Sequence, residues 1–245
     1  VAVCGTLPGG LIGLLNSPKA RVCPSGLLLG TLFGFVSGCI VAFFRPPAFI
    51  VTLATMNIAR GIAFVYAGGR ATRIVDDAFN AIGTGYWHGI PYPVIYMLVL
   101  VLIFTVLLNR TRFGTYIYAV GGNREAAHLS GVPINRTIIA VFTISGLLAA
   151  FAGLVLFSRM YSGQPSIGQG YEMDAIAASV LGGTSMSGGV GSVIGTMFGA
   201  LMIAVLNNAL TIMGISSFWQ QVVKGLVIII DVTLDVFRNK MQATK

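Results

Sequence analysis

The sequence predicts an all-α protein, a polytopic bundle of transmembrane helices in a single domain that covers residues 1–245. Two observations predict this class. Hydrophobic residues make up 56% of the chain and charged residues only 9%, whereas a soluble domain carries about 25% charged residues. Several nearly uncharged stretches also approach the roughly 20 apolar residues that span a bilayer core. The lipid bilayer is therefore the first expected partner.

Eight hydrophobic segments follow one another along the chain. They are Val1–Leu15, Pro24–Phe44, Ala48–Ala67, Pro91–Leu108, Thr137–Phe157, Tyr171–Leu181, Val190–Leu210 and Phe218–Leu234. The sixth is too short to cross as a straight helix, because a crossing needs about 20 residues. We expect a half-helix there, continued by the Gly-rich stretch that follows. Irregular backbone at membrane depth is tolerated only where protein or a water-filled cavity surrounds it.

The basic residues predict an orientation, because loops rich in Lys and Arg stay in the cytoplasm. If the 109–136 loop is cytoplasmic, alternation places more basic residues inside than outside. The inner set is Arg45, Arg110, Arg112, Arg124, Arg136, Arg238, Lys240 and Lys245, and the outer set is Lys19, Arg21, Arg70, Arg73 and Arg159. This orientation puts the C-terminus in the cytoplasm. The net charge of +8 is thus explained without a nucleic-acid partner.

Glycines recur at every fourth position in two of the segments. The two sets are Gly26, Gly30, Gly34 and Gly38, and Gly191, Gly195 and Gly199. Four-residue spacing places each set on one helix face, where small residues let two helix backbones approach closely in lipid. We interpret these glycine stripes as faces for helix packing alone. The alternative is that they belong to a tightly packed helix bundle that also moves. The Gly-rich stretch 182–192 has no G-K-[ST] or dinucleotide spacing, which argues against nucleotide binding.

The 109–136 loop contains the residues of a short, self-contained helix. Asn123 is a favoured N-cap, and Glu125 places a negative charge in the first turn, where the helix dipole favours it. Gly131 can end the helix in the left-handed conformation, and Pro133 prevents its continuation. Seven helical residues rise only about 10 Å, so this helix cannot span a membrane. We expect it at the cytoplasmic surface.

The face of this short helix is small and apolar. Ala126, Ala127 and Leu129 are predicted to form one patch. A short helix with such a face fits the groove of a partner protein.

These residues carry a family resemblance. Glu125-Ala126-Ala127 followed by Gly131 is similar to the E-A-A-x-x-x-G core in the cytoplasmic loop of importer permeases. The wider GGNREAAHLSGV resembles the ribose- and xylose-type sugar permeases, and so do YEMDAIAA from Tyr171, LGGTS from Leu181, and Asn207-Asn208. The resemblance runs in order over nearly the whole chain. One departure is that no I-x-Leu-Pro motif follows Gly131. The sugar-type branch of the family often lacks this motif as well.

The resemblance implies the permease subunit of a bacterial ATP-binding cassette importer for a ribose- or xylose-like sugar, in the inner membrane. It implies a second permease subunit, as a homodimer, two cytoplasmic ATPase subunits and a periplasmic sugar-binding protein. The permease itself would need no cofactor and catalyse no reaction. Family permeases have around ten helices, so we expect about two to precede Val1. The implied ATPase-coupling residues are Asn123, Arg124, Glu125, Ala126, Ala127, Leu129, Ser130 and Gly131.

Polar residues in or beside the apolar segments are candidates for a sugar pathway, because a sugar offers many hydroxyl groups and no charge. They are Thr52, Asn57, Glu172, Asp174, Asn207, Asn208 and Gln220. The two acidic residues either shape an entrance or cap a helix, and the two adjacent asparagines bind either sugar or a neighbouring helix. Lys224 is expected to reach outward along its helix. Arg60 is expected either to reach outward in the same way or to pair with Asp76 or Asp77.

Two rival functions remain at this point. An ion-gradient-driven secondary transporter would need no docking helix and often carries a buried carboxylate, and a membrane scaffold would transport nothing. Neither rival explains the helix at 123–131. No metal site is expected, because His88 and His128 stand alone in the sequence.

Overall fold

The computed structural model describes residues 22–73, 77–216, 218–227, 229 and 233. The first predicted segment, Val1–Leu15, lies outside these residues. So do Asp76 and the Asp77 side chain, the two expected partners of Arg60. Of the basic residues used for the orientation, Lys19, Arg21, Arg238, Lys240 and Lys245 also lie outside them.

Helices account for most of the described chain. They are α1 (Val22–Phe44), α2 (Ala48–Ala67), α3 (Asp77–Thr84), α4 (Tyr92–Arg110), α5 (Arg112–Gly122), α6 (Arg124–Leu129), α7 (Ile134–Met160), α8 (Tyr171–Leu181) and α9 (Val193–Ile212), and residues 218–227 are helical as well. The strands have two residues each: β1 (Thr72–Arg73), β2 (Tyr86–Trp87), β3 (Ile90–Pro91) and β4 (Ser162–Gly163). The predicted all-α class is confirmed.

Within the described residues, five helices are long and apolar enough to cross a membrane. They are α1 from Pro24 onward, α2, α4, α7 and α9. The sequence predicted eight hydrophobic segments, and the lower number reflects the short α8 and the incompletely described ends of the chain. Helix α8 has 11 residues, as expected for a half-helix. The segments predicted at Ala48–Ala67 and Tyr171–Leu181 match α2 and α8 to the residue.

The chain divides into two compact units. The first contains Val1–Leu100 and Pro133–Gln169, and the second contains Val101–Val132 and Gly170–Lys245. One boundary therefore falls inside α4, and another falls between α6 and α7.

In the first unit, α1 packs along α7 through small residues. A methyl group added to Gly34 would contact the carbonyl oxygen of Phe142 and lie 3.0 Å from the Cα atom of Gly146. Gly34 is half-buried, and the other members of the predicted stripe, Gly26, Gly30 and Gly38, are buried. Without side chains between them, the two backbones gain the close packing contacts that hold helices together in lipid.

The short helix α3 packs on α7 around one buried hydroxyl group. The Oγ atom of Ser158 accepts the backbone N–H of Gly83 at 2.7 Å, and it lies 2.7 Å from the carbonyl oxygen of Phe79 and 3.0 Å from that of Asn80. The apolar cluster beside it consists of Phe79, Leu154 and Phe157. This one hydroxyl therefore joins α7 to three backbone groups of the eight-residue helix α3.

Two small strand pairs complete the first unit. Strands β1 and β4 are antiparallel, with Thr72 opposite Gly163. Strands β2 and β3 form a hairpin whose turn residues, His88 and Gly89, both have positive φ angles, as a two-residue type I′ turn requires. The exposed Tyr86 and Trp87 side chains of β2 are of the type that gathers at membrane interfaces.

In the second unit, α8 and α9 pack closely where glycines replace larger side chains. Methyl groups added to Gly195 and Gly199 would contact the carbonyl oxygens of Gly182 and Ala178, respectively. A methyl group added to Gly191 would lie 3.1 Å from the side chain of Thr184. The second predicted stripe thus faces α8 and the turn that follows it.

Candidate functional site

Helix α6 begins at the predicted cap. The Oδ1 atom of Asn123 accepts the backbone N–H groups of Glu125 and Ala126, each at 3.0 Å. These are two of the donors that an uncapped helix start leaves without a partner. The predicted N-cap is confirmed, and it fixes the direction in which the helix leaves α5.

The end of α6 is also closed by local hydrogen bonds. Val132 donates its backbone N–H to Ala127, and Gly131 donates to His128, each at 3.0 Å. Gly131 has a φ angle of 76°, and Pro133 follows two residues later. This is the Schellman arrangement, which favours glycine at the left-handed position. The predicted C-terminal end is therefore confirmed, and α6 is a short rod with both ends fixed.

The exposed face of α6 differs from the predicted patch. Ala127 is only 3% exposed, whereas Leu129 is 87% exposed and Ala126 is also exposed. The three side chains do not form one patch, because neighbouring positions on a helix point about 100° apart. Ala127 anchors the rod to its own unit, while Ala126 and Leu129 remain available for contact.

The polar residues of the predicted coupling set lie mostly on the exposed face. Glu125, Ser130 and Gly131 are exposed. Arg124 is half-buried, and its Nη2 atom is buried with no hydrogen-bond partner in the described part of the chain.

Helix α5 connects this rod to the Gly-rich turn between α8 and α9. The Tyr118 hydroxyl donates to the Gly191 carbonyl at 2.9 Å. A methyl group added to Gly121 would lie 3.0 Å from the Gly189 nitrogen, and one added to Gly188 would contact the Gly121 carbonyl oxygen. Two glycine pairs that are far apart in sequence, 121–122 and 188–189, therefore meet backbone to backbone. The sequence predicted a loop in place of α5 and did not indicate this contact.

A second group of polar side chains meets at the start of α8. The Nζ atom of Lys224 lies 2.9 Å from Oδ1 and 3.0 Å from Oδ2 of Asp174. The Nδ2 atom of Asn207 lies 3.5 Å from the same carboxylate. The Asn207 Oδ1 atom is buried without a hydrogen-bond partner among the described residues. We call Asp174, Asn207 and Lys224 the polar cluster.

The polar cluster corrects one expectation and brings together two candidates. Lys224 pairs with Asp174 and does not simply extend outward along its helix. The sequence left two roles open for Asp174, a helix cap or an entrance residue. In the structure its carboxylate is the centre of the cluster. Its side chain is 20% exposed and that of Lys224 is 23% exposed, so both remain accessible.

The other predicted pathway residues lie elsewhere. The Glu172 carboxylate accepts the Gly170 N–H at 3.1 Å, which is a local bond at the start of α8. Gln220 donates to the Ile215 carbonyl at 3.0 Å. Asn208 and, in the first unit, Asn57 are exposed. Thr52, also in the first unit, bonds within its own helix to Phe49 at 2.9 Å.

Comparison with known proteins identifies the relatives of this chain. The family model described as the permease component of branched-chain amino acid transport systems matches residues 11–232. The ribose import permease protein RbsC of Haemophilus influenzae is 46% identical over 239 residues, which cover 96% of this chain and 74% of that protein. The L-arabinose transport system permease protein AraH of Escherichia coli K12 is 43% identical over 244 residues, which cover 100% of this chain and 74% of that protein.

A further relative confirms the pattern. RbsC of Bacillus subtilis is 47% identical over 201 residues, which cover 81% of this chain and 62% of that protein. No solved structure matches the chain significantly. The resemblance seen in the sequence is confirmed, and the chain belongs to the family of branched-chain amino acid transport system permease components.

Proposed function

We propose that this chain is the membrane permease subunit of an ATP-binding cassette importer that carries a small sugar into a bacterial cell. Its relatives named above are ribose and L-arabinose permeases, which supports a pentose as the solute. Helix α6 is the observation that carries the proposal, because a transporter driven by an ion gradient has no need of an exposed, doubly capped rod.

Helix α6 has the properties of a docking element for an ATPase subunit. Its six residues rise only about 9 Å, and caps at both ends hold its shape. Leu129 offers an apolar side chain and Glu125 a negative charge on the exposed surface. A partner groove therefore meets a rigid surface, which lowers the entropy lost on binding.

Movement of α6 has a direct route to α8. The rod follows α5 after a single residue, Asn123. Helix α5 in turn contacts the Gly-rich turn through Tyr118 and Gly121. A displacement of the rod by the ATPase would therefore reach the turn that joins α8 to α9. Transport then follows from partners that favour one of two conformations of the permease.

The proposal includes a location and a set of partners. The chain lies in the inner membrane, with α6 and the C-terminus in the cytoplasm and the loop before α8 outside. It works beside a second permease subunit, as a homodimer, and receives sugar from a periplasmic binding protein. The permease itself catalyses no reaction, because ATP is hydrolysed by the separate subunits.

Replacing Gly131 with Leu tests the docking role. At a φ angle of 76° a side chain strains the backbone by about 1–2 kcal/mol, which should distort the end of α6. We expect co-purification of the ATPase subunits with the permease to fall at least about tenfold, a difference of roughly 1.4 kcal/mol in binding. Gly214→Leu is the matched control, because Gly214 follows α9 with a φ angle of 72° and equally open surroundings.

A second variant keeps the fold intact. Glu125→Lys reverses an exposed charge, and exposed substitutions usually change stability by only about 0.5 kcal/mol. We expect normal amounts of permease in the membrane but weak ATPase association and slow uptake. Undiminished association and uptake in both the Glu125 and the Gly131 variants would rule out a docking role for α6.

A further inference from the structure

We infer that the polar cluster of Asp174, Asn207 and Lys224 binds hydroxyl groups of the transported solute. This inference rests on the proposed function, since it assigns a site to the solute of a permease. It goes beyond that function by naming three side chains from three helices and the chemistry that they recognise.

The amide of Asn207 is the first argument. Its Nδ2 atom faces the carboxylate of Asp174 at 3.5 Å, which is the favourable orientation, because a flipped amide would place two acceptor oxygens together. In this orientation Oδ1 is left buried and without a partner among the described residues. A buried acceptor without a donor is costly, and a hydroxyl group of a bound ligand would remove that cost.

The ion pair is the second argument. A contribution to stability does not explain why an ion pair lies in an apolar bundle, because apolar residues of the same size often stabilise a protein as well or better. Ionisable groups inside a membrane protein therefore usually mark a substrate or ion pathway. Asp174 and Lys224 have side chains that are 20% and 23% exposed, so a solute can reach them.

The charges of the cluster select the kind of solute. Asp174 and Lys224 cancel each other, so the cluster attracts neither an anion nor a cation as a whole. It offers acceptor oxygens on Asp174 and Asn207 and a donor on Lys224. Two neighbouring hydroxyl groups can donate to the oxygens and accept from the ammonium group. A neutral polyhydroxy compound such as a pentose fits this arrangement better than a solute with a single net charge or a hydrophobic solute.

Direct sugar binding tests the site apart from the transport cycle. The permease is reconstituted with its ATPase subunits but without the binding protein, and saturation binding of radiolabelled D-ribose and L-arabinose is measured. We expect Asn207→Leu to weaken binding of the preferred sugar about tenfold, the effect of roughly one hydrogen bond. Asn208→Leu is the matched comparison, because Asn208 is the next residue of α9 with its side chain exposed. It should change binding less than about twofold.

Exchanging the charges of Asp174 and Lys224 distinguishes a role in sugar binding from a role in folding. Asp174→Asn and Lys224→Met should each weaken sugar binding and reduce the yield of folded permease. The double variant Asp174→Lys with Lys224→Asp keeps an ion pair, so it should recover the yield but not the binding. Recovery of both would show that the pair is only structural and would overturn the inference.

Two outcomes distinguish failure of the site from failure of the proposed function. Equal binding by the Asn207 and Asn208 variants, or no binding of either sugar to the wild-type complex, would overturn the site. ATP-dependent uptake by the wild-type complex with its binding protein would leave the proposed function standing in both cases. If that uptake is also absent, the proposed function fails and the site fails with it.

Discussion

At the residue scale, Ser158 shows how one hydroxyl group attaches a short helix. Its side chain is fully buried, and it contacts three backbone groups around α3. Ser158→Ala would remove the hydroxyl that accepts the Gly83 N–H and contacts the carbonyl oxygens of Phe79 and Asn80. We expect the free energy of unfolding to fall by about 0.5–1.5 kcal/mol for each hydrogen bond that is lost. Denaturant unfolding of the detergent-solubilised permease measures this loss.

Ser145→Ala is the control for this prediction. Ser145 lies on the same helix, α7, with an exposed side chain, so the same chemical change should cost no more than about 0.5 kcal/mol. Equal stability of the two variants would mean that the Ser158 hydroxyl does not attach α3.

Residues that act within their own turn were predictable from the sequence. Asn123 and Gly131 were assigned correctly, because a cap depends on the few residues beside it. The pairing of Asp174 with Lys224 was not predicted, since 50 positions separate the two residues. Ser158 was not singled out either, because a serine in an apolar run has no local pattern that marks its partners.

At the element scale, the contact between α5 and the Gly-rich turn should transmit motion. Gly189 has a φ angle of 76°, and a methyl group on it would lie 2.8 Å from the Cα atom of Gly122. Gly189→Ala should therefore push the turn away from α5. We expect uptake to fall several-fold, while the ATPase subunits still co-purify and still hydrolyse ATP, because α6 itself is unchanged. Uptake and ATP hydrolysis are measured on the same proteoliposomes.

Gly183→Ala provides the matched control in the same turn. Gly183 has a φ angle of 84°, but no atom lies within 4 Å of an added methyl group. Both variants carry similar backbone strain, and only Gly189→Ala adds the clash. If the two variants transport equally well, or if both also lose ATP hydrolysis, the contact does not carry the coupling.

Elements with a strong local signal were predicted more reliably than those without one. Helices α2 and α8 matched the predicted segments because long or clearly bounded apolar runs define them. Helices α3 and α5 were missed because their sequences lie in stretches that contain more charged and polar residues than the spans. The strands were missed as well, since two-residue strands carry almost no pattern and β1 pairs with the distant β4.

At the scale of the whole molecule, the low content of charged residues correctly predicted a membrane protein. Large apolar side chains lie on the outside of the spanning helices, such as Phe44 at 82% and Val65 at 82% exposed. A soluble protein rarely exposes wide apolar patches of this kind, whereas a bilayer accepts them. The solute and the partner proteins were not readable from composition, because in our proposal they depend on a few side chains in the polar cluster and on α6.

The proposed function requires that solute uptake depends on a separate ATPase. The decisive measurement is the uptake of radiolabelled D-ribose and L-arabinose into proteoliposomes that contain the permease, with its binding protein outside. We predict that uptake requires both ATP and the ATPase subunits and continues when a protonophore collapses the ion gradient. Uptake that persists without the ATPase subunits and stops with the protonophore would contradict the proposal and identify a secondary transporter.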